Sequence, residues 1–250
     1  MMLLMTTAAH AALKTELIDY RQGDTLLQGY LAYDDALTGK RPGVLIVHEW
    51  WGMNDYAKRR AEQLARLGYV AFALDMYGKG KATTSVKEAS LLSGLFKIDR
   101  ALVRARAATG LDLLRKRPEV DPARIAAIGY CFGGMVVLEM ARGGADLKGV
   151  ASFHGGLATP HPEDAKNIKG KVLVLHGADD TFESPAEIAA FQEEMRLARV
   201  DWQMNIYSGA VHAFTNPDAG KAKIKGVAYN EKADRRSWKA LLAFFDEILK

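Results

Sequence analysis

The sequence predicts an α/β protein with a mostly parallel central sheet flanked by helices on both faces. Three observations carry that prediction. Short, unbroken apolar runs stand at 44–47, 70–74, 125–128, 150–153 and 172–175, rich in β-branched and small residues, which is how strands buried on both faces read. Helical patterns near 56–67, 99–117, 134–142 and 185–197 alternate with those runs. The chain has 250 residues, 49% of them hydrophobic, enough to bury a substantial core, and no linker or internal repeat divides it.

Taken in order, 16–20 and 26–32 flank a Gln-Gly-Asp turn signal and read as an antiparallel opening hairpin. The alternating strands and helices follow. A last strand is expected at 202–207 and a closing helix from about Ala233, with Trp238, Leu241, Leu242, Phe245 and Ile248 on the stripe that packs on the sheet. Such alternation implies right-handed crossovers and an active site in the loops at the carboxyl ends of the strands.

Composition narrows the function. The net charge of +4 is the small difference between 34 basic and 30 acidic residues, too balanced for a nucleic-acid or membrane footprint. The basic run Arg100, Arg104, Arg106, Arg115, Lys116 and Arg117 reads as the solvated face of an amphipathic helix. A single cysteine excludes an internal disulfide, a CxxC pair and a thiolate metal cluster, and His48-Glu49 has no second histidine four positions on, so neither metal nor cofactor is expected. Residues 1–14 read as a flexible N-terminal segment or the remnant of a signal peptide, and 15–250 as a single domain. The start is apolar and free of acidic residues, but it lacks a basic n-region and its Leu/Met stretch is shorter than the roughly 7–15 residues of an h-region. A cytoplasmic protein is expected, with periplasmic export as the alternative.

The segment Gly129-Tyr130-Cys131-Phe132-Gly133-Gly134 follows a buried run and opens a helix. It matches the nucleophile elbow G-x-S-x-G of the α/β-hydrolase fold with Cys in place of Ser. A cysteine at a helix N-terminus is favoured as thiolate by the unpaired N–H groups and the helix dipole. The bland alternative is a small buried cysteine beside a glycine-rich turn.

A triad on this fold needs an acid and then a histidine downstream. The run at 172–175 leads into His176-Gly177-Ala178-Asp179-Asp180, and the last strand into Ser208-Gly209-Ala210-Val211-His212. His212 is the candidate base, with Asp179 and Asp180 both available as its orienting acid. His154 reads as packing beside the site, and His176 as support for the acidic loop. Glu49-Trp50-Trp51 follows the strand at 44–47, where a second oxyanion donor is expected, so the N–H groups of Trp50 and Phe132 form the predicted oxyanion hole. Trp50, Trp51, Phe132 and Phe214 suggest an apolar, aromatic pocket.

Across nearly its whole length the chain resembles the dienelactone hydrolase family. The likeness rests on the Glu-x-x-Gly-x-Asn stretch from Glu49, Asp-Met-Tyr-Gly at 75–78, the Gly-Tyr-Cys-x-Gly-Gly elbow, His-Gly-x-x-Asp at 176–180 and His-x-Phe at 212–214. The resemblance selects Asp180 over Asp179 and implies a Cys131, His212, Asp180 triad. It also implies that Glu49 hydrogen-bonds the cysteine in the resting site; an acid beside a thiol opposes thiolate formation, so Glu49 is expected to hold Cys131 neutral until substrate displaces it. Members that act on dienelactone clamp its carboxylate with two arginines, and the matching positions here are Lys79 and Asn216. Asn carries no charge and Lys does not replace Arg at a bidentate site, so a different ester or lactone is expected as substrate. Trp51, Lys79 and Phe214 are the expected substrate-binding residues.

The resulting expectation is a carboxymethylenebutenolidase-type hydrolase of small esters or lactones, a monomer or weak homodimer that binds neither nucleic acid nor membrane. A catalytically silent ligand-binding or thiol-sensing member of the same fold is the alternative.

Overall fold

The computed structural model describes residues 13–250, so the expected leader lies outside the described residues except for Leu13 and Lys14, which belong to the first strand. The opening hairpin is β1 (Leu13–Gln22) and β2 (Thr25–Asp34), antiparallel as predicted. There follow β3 (Arg41–Val47), α1 (Asp55–Ala65), β4 (Val70–Leu74), α2 (Val86–Ile98), α3 (Arg100–Arg115), β5 (Val120–Tyr130), α4 (Phe132–Arg142), β6 (Gly149–Phe153), β7 (Lys171–Gly177), α5 (Pro185–Leu197), β8 (Trp202–Tyr207) and α6 (Glu231–Ile248).

The strands form one eight-stranded sheet in the order β1-β2-β4-β3-β5-β6-β7-β8, parallel from β4 to β8. This is the α/β-hydrolase arrangement. The five apolar runs are five adjacent inner strands, β4 to β7 in the sheet order, and their side chains feed two cores, one on each face. Burial of both faces is what makes these strands continuously apolar. The chain leaves β3 towards β4 and later returns to β5 on the other side, so the strand order reverses between β3 and β5. Crevices at such a reversal are where α/β sheets place their sites.

Two sequence readings are corrected here. Helix α2 was not expected, because its apolar residues do not form one clean stripe and Leu91, Leu95 and Ile98 are exposed. A start signal was nevertheless present: Ser85 accepts a bond from the Glu88 N–H, the Ser-x-x-Glu spacing of a helix N-terminus. The basic run on α3 is also more than a solvated face. Arg106 is buried and donates to the Met76 carbonyl, and Arg104 pairs with Glu139 and Asp164. These arginines tie α3 to the sheet and to α4, which spacing along one helix does not reveal.

Candidate active site

The elbow is built by crowding. Cys131 caps α4 with φ 54° and ψ −115°, a conformation outside the usual wells for a residue with a side chain. Its turn is so tight that a Cβ on Gly129 would lie 1.9 Å from the Gly133 carbonyl oxygen, and one on Gly133 would lie 2.3 Å from the Val47 oxygen. Gly129→Ala is therefore expected to unfold or displace the elbow, at a cost of roughly 3 kcal/mol or more in chemical denaturation. A variant as stable as the native chain would refute this account of the turn.

Three residues from three strand ends meet at the elbow. The His212 Nε2 lies 3.1 Å from the Cys131 sulfur, and its Nδ1 lies 2.9 Å from Asp180 Oδ2. Of the two candidate acids, Asp180 is buried and meets His212, while Asp179 is exposed. The second Asp180 oxygen accepts the Phe182 N–H at 2.9 Å, so the carboxylate is held on both sides. Burial alone would depress the His212 imidazole. The negative charge that Cys131 can carry and the Asp180 carboxylate outweigh it, and hold His212 well above its ordinary 6.5.

Behind these residues lies a buried relay that residue spacing does not show. The Cys131 N–H reaches the Phe153 carbonyl at 3.0 Å and His154 Nδ1 at 3.2 Å. His154 accepts there, so its Nε2 carries the hydrogen and donates to Thr215 Oγ1 at 2.7 Å. Thr215 in turn meets Tyr56 OH at 2.6 Å, and its carbonyl accepts from Arg60, which is paired with Asp234. Burial first, and then the charge of His212, keep His154 well below its ordinary 6.5, so its ring is neutral. His154 therefore does more than pack: it holds the strained backbone of Cys131. His176, by contrast, makes no hydrogen bond through its buried Nδ1 among the described residues.

The candidate oxyanion donors sit where the two strands beside the reversal end. Val47 pairs with Gly129 across β3 and β5, and the His48 ring stacks on Phe132 at 5.9 Å. The Trp50 and Phe132 N–H groups have no acceptor among the described residues, whereas the Cys131 N–H is already engaged. Trp50 is further held through its carbonyl by Tyr77 OH at 3.1 Å.

Beside the sulfur opens a cavity of about 370 Å³ lined by Trp50, Trp51, Phe132, Met135, Phe182 and Val227 among others. It is the aromatic pocket expected, with two corrections. Phe214 is fully buried against His154 and Tyr207 and does not line it. Lys79 is spent in an exposed ion pair with Asp19 at 2.6 Å, away from the cavity. Residues such as Arg100, Met135, Phe182, Glu183 and Val227 were missed because they reach the cavity from helices and loops with no motif.

The Glu49 position is also corrected. The carboxylate is buried in the site but accepts its hydrogen bond from Asn216 Nδ2 at 2.6 Å and makes none to Cys131, whose sulfur is taken by His212. Asn216, the other clamp position, is thereby occupied inside the protein. Burial raises Glu49 from 4.5 to about 7, opposed by the Asn216 bond and by His212. The native state thus holds this proton more tightly than the unfolded chain does. The stabilisation is complete below 4.5 and lost as pH rises through about 7. Glu49→Gln, which keeps an acceptor for Asn216, is expected to stabilise the protein at pH 8 by roughly 2–3 kcal/mol and little at pH 4. Denaturation at both pH values checks this, and an equal change at both would contradict it.

The pattern of the dienelactone hydrolase family matches residues 27–249. A solved dienelactone hydrolase-like promiscuous phosphotriesterase from metagenomic libraries is 42% identical, covers 95% of this chain and 99% of its own, and superposes with a TM-score of 0.92. A solved structure designated m3DLH is 43% identical over 96% of this chain and all of its own, with a TM-score of 0.93. An Aquifex aeolicus (strain VF5) protein provisionally named carboxymethylenebutenolidase is 25% identical over 94% of this chain and 99% of its own.

Proposed function

Because this chain belongs to the dienelactone hydrolase family and is a hydrolase, we propose that it cleaves a small carboxylic ester or lactone through a thioester on Cys131. The observation that carries this reading is the hydrogen-bonded line from Asp180 through His212 to the Cys131 sulfur, opening on an aromatic cavity. His212 takes the thiol proton, and the thiolate sulfur bonds to the carbonyl carbon while the C=O pair moves onto oxygen. The Trp50 and Phe132 N–H groups receive that oxyanion. Its collapse breaks the bond to the leaving oxygen, which takes the proton from His212. Water then attacks the thioester, giving a proton to His212, and expulsion of the sulfur returns the thiol and frees the acid. Asp180, bonded to His212 Nδ1 at 2.9 Å, keeps the imidazole in the required tautomer.

Rapid mixing with 4-nitrophenyl acetate tests this. A burst of 4-nitrophenol with an acetyl adduct on the Cys131 peptide by mass spectrometry is expected. Hydrolysis that persists after alkylation of the only thiol, with no adduct, would overturn it.

A second reading, hydrolysis of phosphotriesters at the same sulfur, is favoured by the 42% identity to the phosphotriesterase. Turnover of diethyl 4-nitrophenyl phosphate, lost on alkylation of Cys131, is the expected result for it.

A further inference from the structure

Three backbone positions at the site lie in the left-handed region although none is glycine: Cys131 at φ 54°, His154 at φ 40° and Ala213 at φ 57°. Among the described residues only Arg199 and Lys223 share that property. A residue with a side chain is strained there and persists only where its surroundings over-determine it. One buried line of hydrogen bonds joins all three positions. The Cys131 N–H meets His154 Nδ1 at 3.2 Å, and His154 Nε2 meets Thr215 Oγ1 at 2.7 Å. Thr215 follows Ala213 in the loop that begins at His212, and that loop is closed by the Asn216 N–H on the Ala213 carbonyl at 3.0 Å. His154 and Thr215 are fully buried, and the His154 ring packs edge-on against His212 at 5.4 Å and Phe214 at 5.1 Å. The far end of the line is anchored twice. Tyr56 OH, on α1, meets Thr215 Oγ1 at 2.6 Å, and Arg60 donates to the Thr215 carbonyl at 2.9 Å while pairing with Asp234 on α6.

The bond between His212 and the Cys131 sulfur cannot by itself keep the two aligned. In the ester cleavage proposed above, the imidazole gives up that bond each time it passes its proton to the leaving oxygen. Alignment has to be held by bonds that take no part in the transfer. On the acid side Asp180 supplies one. On the nucleophile's side, the hydrogen-bonded route from the His212 loop to the elbow among the described residues runs through Thr215 and His154. Its parts do not titrate with the reaction: burial, and then the charge of His212, keep His154 neutral, and a threonine hydroxyl does not ionise. The hydroxyl oxygen is needed because His154, presenting a bare Nδ1 to the Cys131 N–H, has a hydrogen on Nε2 to place.

We propose that Thr215 is a positioning residue of the site: through His154 it docks the loop carrying His212 onto the strained turn carrying Cys131, and so sets the alignment of imidazole and sulfur. This rests on the ester hydrolysis proposed above and adds to its triad a second, buried bridge. Neither Thr215 nor His154 lines the cavity, so the bridge acts on the triad and not on substrate.

The test compares Thr215→Val, of nearly the same shape without the hydroxyl, Thr215→Ser, which restores it, and His154→Phe, which keeps a ring and breaks both bonds of the bridge. The burst of 4-nitrophenol from 4-nitrophenyl acetate is expected to slow by about 10- to 100-fold in Thr215→Val and His154→Phe, the loss that a small misplacement of reacting groups brings, with half-saturation within about threefold. Thr215→Ser is expected to stay within about threefold of the native chain. A second readout needs no ester. Iodoacetamide reacts with the thiolate of Cys131, the only thiol, so its rate near neutral pH reports proton transfer to His212. That rate is expected to fall about fivefold or more in Thr215→Val and to recover in Thr215→Ser, whereas a loosened fold would expose the thiol and raise it. Above about pH 10, where the thiolate forms unaided, the difference is expected to vanish. An alkylation rate in Thr215→Val within about twofold of the native one overturns the assignment whatever the burst does, and so does an unslowed burst where the native chain turns the ester over. If the native chain turns over no ester but alkylation falls and recovers as stated, the ester reading fails and the positioning role stands. If alkylation is also unchanged, both fail. Should Thr215→Val not fold, as judged by its melting curve, His154→Phe decides on the same two rates.

Discussion

Cys131→Ala and His212→Ala are each expected to lower kcat/KM for an aryl ester by roughly three to four orders of magnitude, and the double variant by little more than either. The reason is geometric. The sulfur and the imidazole are 3.1 Å apart and act as one unit, so removing either abolishes the same transferable proton and the same nucleophile. Residual activity would come from the cavity and from the proposed oxyanion donors, the N–H groups of Trp50 and Phe132, which have no acceptor among the described residues. Steady-state assays of the three variants, with melting curves to show that each folds, check the prediction. Fully multiplicative losses in the double variant would mean that the two side chains act independently.

Arg142→Leu is expected to cost about 3–5 kcal/mol of stability and to lower Tm by on the order of 10 °C. Arg142 is fully buried at the end of α4 and grips both oxygens of Glu194 at 2.8 Å, Glu139 at 3.1 Å and the Leu157 carbonyl at 2.8 Å. Its removal strands Glu194, on α5, in a buried site without a counter-charge. Arg142→Leu combined with Glu194→Leu should recover most of the loss, because two apolar groups of similar size replace the pair without leaving a buried charge. Urea denaturation of the three variants is the measurement, and a double variant worse than the single would contradict the assignment. The same arginine anchors Leu157, whose neighbours Gly156 and Ala158 line the cavity. A raised KM is therefore expected alongside the lost stability.

Much of this site is legible in the order of the amino acids, for a physical reason. The elbow glycines are demanded by atoms closer than a Cβ tolerates, so positions 129, 133 and 134 must be written as glycine around whatever nucleophile the turn carries. Asp180 and His212 follow apolar strands directly, and a residue just past a buried parallel strand arrives at the carboxyl edge of the sheet whatever the helices do. Helix α2 escaped because its exposed leucines blur the amphipathic stripe, although its cap was written in the sequence.

The sequence by itself determined the order of the strands and of the helices other than α2, the elbow, and the set of residues delivered to the carboxyl edge, since each depends on local periodicity or on steric limits within a few residues. Only the tertiary structure decided which partner each of them takes. Glu49 turned to Asn216 rather than to Cys131, Lys79 paired with Asp19 outside the cavity, His154 took up the Cys131 N–H, and Arg100 faced the cavity without an ion pair among the described residues. These are contacts between side chains far apart along the chain, set by competition among donors, acceptors and charges that meet only once the sheet has assembled. Spacing along the sequence places a residue at an edge, but the neighbours with which it must balance burial against hydrogen bonds and charge belong to the fold.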